Sequence, residues 1–129
     1  MSYAITWSTE GVIWTFSGVL TGEDAIQANL DIYGDPRFDD LRYQIVDISG
    51  VERFELSSEA LETAAAMDEA AALNNSHIVV AVVAPGQMAL LAAQTYKSAM
   101  RTASWKTEIF GSLEEARDWA LATGGRWPA

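Results

Sequence analysis

The chain has 129 residues, half of them apolar, which is enough for one domain with one core, and the whole span 1–129 is read as that unit. Eighteen acidic against eight basic side chains give a formal charge of −10, which repels phosphate backbones and argues against nucleic acid as a partner. The lack of cysteine excludes disulfides, thiolate metal sites and cysteine nucleophiles.

The start, MSYAITWSTEG, has neither the basic stretch nor the apolar run of a signal peptide, and no window of about 20 apolar residues is present to span a membrane. A cytoplasmic location is the expectation. YAITW and VIWTF alternate, with Tyr3, Ile5 and Trp7 on one face and Val12, Trp14 and Phe16 on another. With the turn residues between them they predict an antiparallel hairpin. Thr21 and Asp24 have capping-box spacing, and Ala25, Ile26, Asn29, Leu30 and Tyr33 recur at helical spacing. GDPRFDD stops that helix and reads as a solvated loop; Asp35, Asp39 and Asp40 do not have the spacing of a calcium loop.

YQIVDIS is the next strand, followed by a short loop after Gly50 and by a helix capped by Ser57 or Ser58. That helix carries Leu61, Ala64, Ala65, Met67 and Ala71 and ends at Asn74 and Asn75. HIVVAVVA is a near-continuous apolar run, as a strand covered on both faces requires. Pro85 and Gly86 break it, and QMALLAAQTYKSAM is a third helix with Lys97 and Arg101 near its end, where cations suit the dipole. WKTEIF is a short strand, Ser112 and Glu115 form a second capping box, and LEEARDWALAT is the last helix. The order ββαβαβαβα predicts an α/β fold, a five-stranded mixed sheet with helices packed on it.

The run IVDISGVERFELSSEAL, taken with that order of elements, resembles a STAS domain, the fold of the bacterial anti-sigma-factor antagonists. In that family a strand ending in Asp-Leu-Ser is followed by Asp-Ser-Ser-Gly at a helix start, and a partner kinase phosphorylates the first serine of the second motif. Asp47, Ile48, Ser49, Gly50 and Val51 match the first motif. Glu55, Ser57 and Ser58 stand for the aspartate, the second serine and the glycine of the second, and Leu56 occupies the acceptor position. Leucine has no hydroxyl, so the family's switch cannot operate there. The chain also resembles the SpoIIAA-like proteins related to CRAL-TRIO lipid-transfer domains. That resemblance implies a cavity for an apolar ligand, or contact with a membrane surface.

The bare residues agree with more than one role. Ser57 and Ser58 read first as helix caps, and Asp47 as an Asx-type turn. His77, the sole histidine, enters its strand at the end away from the serines, so a catalytic triad is not expected. No nucleophile, base or metal set emerges, so neither catalytic residues nor a cofactor are expected. Two binding readings remain. One is a small apolar ligand between helices and sheet, with Trp14, Met67, Met88, Leu91 and Ala92 as its pocket. The other is a partner-switching regulator that uses Asp47, Ser49, Glu55, Leu56, Ser57, Ser58, Pro85 and Gly86. The first is ranked slightly ahead because of Leu56, and an enzyme comes third. A strand edge or an exposed helix face offers a route to a homodimer.

Overall fold

The computed structural model describes residues 3–100 and 104–124; Arg101, read above near the end of the third helix, and Trp127 of the tail lie outside these. The order of elements is the expected one. β1 (Tyr3–Trp7) and β2 (Gly11–Thr21) form the antiparallel hairpin, and β3 (Tyr43–Glu55), β4 (Val79–Val83) and β5 (Lys106–Phe110) add to it in parallel. The strands lie side by side in chain order, β1-β2-β3-β4-β5.

Tyr3, Ile5 and Trp7 stand opposite Phe16, Trp14 and Val12, so both apolar rows of the hairpin face one side. The connecting helices α1 (Gly22–Tyr33), α2 (Ser58–Ala72) and α3 (Gln87–Ala99) bury that side in the larger core. The final helix α4 (Leu113–Gly124) lays Ala116 and Ala120 against Ile45, Ala81 and Val83 on the opposite side. All five residues of β4 are buried, which explains why its sequence shows no alternation.

The three expected side-chain caps form as the spacing predicts. The hydroxyls of Thr21, Ser57 and Ser112 accept from the N–H groups of Asp24, Ala60 and Glu115 at 3.1, 3.0 and 3.2 Å. Each cap satisfies a donor that the helix cannot satisfy itself. α2 ends at Ala72, two residues before the expected asparagines. There the N–H groups of Asn74 and Asn75 both donate to Ala71 O, closing the last turn.

Two expectations are corrected. β3 does not give way to a loop after Gly50; it runs to Glu55. The reason is its neighbour. β2 continues past Phe16 to Thr21 and offers its backbone to the whole of β3. β3 holds one extra residue between Asp47 and Gly50 and another between Val51 and Arg53, and Gly18 of β2 takes φ +67° beside the second bulge. Bulges shift which residues face the core, which erased the alternation that marks a strand.

The segment GDPRFDD is not simply a solvated loop either. Pro36–Asp40 forms a 3-10 helix whose Phe38 is buried. Asn75 Nδ2 donates to Phe38 O and Leu41 O, each at 3.0 Å, and ties this helix to the end of α2.

Candidate functional site

The candidate residues fall into two groups along β3. Asp47 lies within the strand at the first bulge, in register with Val83 at the end of β4. It is buried, and its Oδ1 accepts from the Ser49 N–H at 3.0 Å and the Ser49 hydroxyl at 2.6 Å. This is the Asx-type arrangement, placed inside a strand rather than at its end. Pro85 and Gly86 follow β4 two residues later and are exposed, with Gly86 at the start of α3.

The second group lies at the far tip of β3. Glu55, Ser57 and Ser58 are exposed, and Arg53 pairs with Glu55 at 2.8 Å. Six residues of the neighbouring β2, about 20 Å, separate this tip from Asp47, so the structure does not bring Asp47 and Ser49 together with Ser57. Leu56 turns the other way, into the interior.

What Leu56 reaches is a half-open cavity of about 90 Å³ between the sheet and α1, α2 and α3. Of the five side chains expected in an apolar pocket, Trp14 and Ala92 line it. Met67, Met88 and Leu91 do not; Met88 and Leu91 are 64% and 55% exposed on the outside of α3. The spacing of α3 explains this. Ala89, Ala92, Ala93 and Tyr96 form the stripe that faces the sheet, and Met88 and Leu91 lie off it.

Three polar residues on the cavity wall were not anticipated. Gln44 and Asp68 are 1% and 4% exposed. The Tyr96 hydroxyl donates to Asp68 Oδ2. Burial pushes the Asp68 carboxyl up to about 7, against the lowering effect of that hydrogen bond. The Tyr96 hydroxyl is raised well above its ordinary value, by burial and then by the Asp68 carboxylate. Asp68 Oδ1 and Gln44 Nε2 are buried and have no hydrogen-bond partner in the protein. Each such atom, left dry and unpaired, costs about 1–3 kcal/mol.

The signal for these residues was present in the sequence. Asp68 continues the stripe Leu61, Ala64, Ala65, with Ala71 and Ala72 beyond it, so a carboxylate sits at a core position of α2. Gln44 shares the inward row of β3 with Val46 and Ile48. A polar residue on an apolar stripe is the informative exception.

Among the described residues, no group of three or more histidine, aspartate or glutamate side chains could hold a metal ion. Nor is any helix among them long and apolar enough to cross a membrane.

No protein-family model matches the chain, and no curated protein does. Several solved structures share its fold, these two among them. One is an uncharacterised protein of the DUF3478 family, with a SpoIIAA-like fold, from Shewanella loihica PV-4. It is 20% identical, with 92% of this chain and 91% of that one covered and a TM-score of 0.53. The other is the Bacillus cell fate determinant SpoIIAA in its phosphorylated form, 17% identical, with 91% and 97% covered and a TM-score of 0.57. The chain therefore has the SpoIIAA-like, STAS-type fold expected from its sequence.

Proposed function

We propose that this chain is a non-enzymatic regulatory domain that binds a protein partner, in the manner of the anti-sigma-factor antagonists, through the tip of β3 and the start of α2. The observation that carries this reading is the tip itself. Glu55, Ser57 and Ser58 stand exposed at a helix N-terminus, on a fold shared with a Bacillus protein that was solved phosphorylated. The acidic surface, net −10, suits a partner with a basic face.

A switch at this tip would differ from the family's. Leu56 fills the acceptor position and packs inward, so a phosphate could be carried only by Ser57 or Ser58. There the helix dipole favours the added charge, while Glu55 and Glu59 oppose it.

Intact-mass analysis of the chain purified from its own cells tests the switch. The mass of one phosphate that survives denaturation and maps to Ser57 or Ser58 supports it. A bare chain removes phosphorylation from the reading. Photo-crosslinkers at Glu55 and, as a control, at Glu114 on α4 then test the partner face itself. A protein captured equally from both positions counts against the tip.

The cavity favours a second reading, a small ligand held between the sheet and α1 to α3. It is lined mostly by apolar side chains, and buried polar atoms stand ready on its wall.

A further inference from the structure

We infer that the cavity takes a compact, uncharged apolar molecule that carries one hydroxyl, of the phenol or cyclohexanol kind, and that Asp68 and Gln44 hold that hydroxyl. The inference rests on the ligand reading above and adds the polar chemistry.

Two unsatisfied atoms carry it. With Asp68 ionised, its Oδ1 is an acceptor without a donor, and Gln44 Nε2 is a donor without an acceptor. Both residues line the same cavity and both are more than nine-tenths buried. The rest of the wall is chiefly apolar and aromatic, including Trp14, Phe16 and Phe54. Several common polar groups already have partners in the protein. The Trp14 indole N–H donates to Ala28 O at 3.2 Å, Asn29 Nδ2 donates to Ala64 O at 3.4 Å, and the Tyr96 hydroxyl is used on Asp68. The two fully buried unpaired atoms on the wall are therefore one acceptor, on Asp68, and one donor, on Gln44.

A hydroxyl oxygen donates once and accepts at the same time, so a single atom answers both needs. An ammonium has donors only and leaves Gln44 unpaired. A carboxylate has acceptors only and meets a like charge wherever Asp68 is ionised. An all-carbon molecule fills the space but leaves both polar atoms dry. A volume of about 90 Å³ has room for little more than a ring or a short branched chain. Ordered water is the competing occupant, since it also donates and accepts.

The test is a titration of the isotope-labelled full chain with phenol and, separately, with toluene, followed by amide and indole resonances. Phenol is expected to shift signals from the cavity wall, the Trp14 indole among them, and to bind at least tenfold more tightly than toluene. Gln44→Met keeps the volume and removes the donor, and is expected to cut that preference to threefold or less. Asp68→Leu removes the acceptor at similar volume and is expected to lower the preference as well. Equal binding of phenol and toluene to the wild type would overturn the hydroxyl inference and leave the apolar-ligand reading standing. No binding of either, with the spectrum still that of a folded protein, would overturn both and assign the polar pair to water.

Discussion

Asp68→Asn should change how stability depends on pH. The Asp68 carboxyl stands at about 7 in the folded chain and at 3.8 when unperturbed, because burial disfavours its charged form. A folded state that holds its proton more tightly than the unfolded state loses stability as pH rises between the two values, and the loss is complete once pH passes the higher one. At about 1.36 kcal/mol per unit, the full difference is roughly 4 kcal/mol. Between pH 5 and pH 8 the part still to be lost is roughly 2–3 kcal/mol. The asparagine keeps the shape and does not titrate. The assay is urea unfolding of both proteins at pH 5, 6, 7 and 8, with the variant subtracted from the wild type at each pH. Subtraction also cancels the general effect of an acidic surface. The difference should move against the wild type by roughly 2–3 kcal/mol from pH 5 to pH 8, and flatten above about pH 7. A difference that stays constant across the series, or moves in the wild type's favour, would refute the placement of Asp68 as a buried and poorly solvated acid.

Further substitutions probe other parts of the structure. A Cβ at Gly11 would lie 1.9 Å from Tyr43 Cζ, so Gly11→Ala must swing the ring away and break its 2.9 Å hydroxyl bond to Ser8. A loss of about 1–3 kcal/mol in chemical denaturation is expected. Asn75→Ala removes the two 3.0 Å bonds to Phe38 O and Leu41 O, which keep the weaker 3.2 Å bonds from Leu41 N–H and Arg42 Nη1. A drop of about 1–3 kcal/mol is expected, with faster exchange of the amides around residues 36–41. Ser57→Ala removes the cap of α2 and should lower stability by about 1 kcal/mol, whereas Ser57→Asp retains an acceptor and should stay within a few tenths of wild type. Equal losses for both would show that the hydroxyl does not cap the helix in solution.

The fold was legible wherever a single period ran through an element. The hairpin alternation of Tyr3 to Trp7 and Val12 to Phe16, the stripe of α2, and the unbroken apolar run of β4 each pointed to the element that formed. Legibility failed where the period changed within an element. The far half of β3, Val51 to Glu55, is a strand only because β2 continues beside it, and its two bulges scramble the inward and outward rows. The site was less legible for a similar reason. Trp14 and Ala92 were legible as pocket residues because apolar and small side chains on a core face are what a pocket needs. Met67, Met88 and Leu91 have the right residue type but the wrong angular position on their helices, and they fall off the stripe. Gln44, Asp68 and Tyr96 do sit on the stripe, yet their polar ends resemble those of ordinary surface residues until the fold buries them. That Asp68 meets Tyr96 across 28 positions of sequence is a property of helix packing, and periodicity within either helix does not contain it.

Spatial order that repeats chain order also bears on how quickly this chain can fold. No strand of the sheet has to wait for a later segment to be inserted beside it, since each parallel strand pairs with its predecessor across one helical connection. The hairpin closes across three residues and each parallel pairing across a few tens, so loop-closure entropy stays small at each step. The longest pairing, β2 with β3 across α1, is the natural place for the nucleus to form. β4 and then β5 can be added to it one edge at a time. Kinetic measurements should then find residues such as Val12, Ile45 and Ile32 structured at the barrier to folding, and those of β5 and α4 organised on the native side of it.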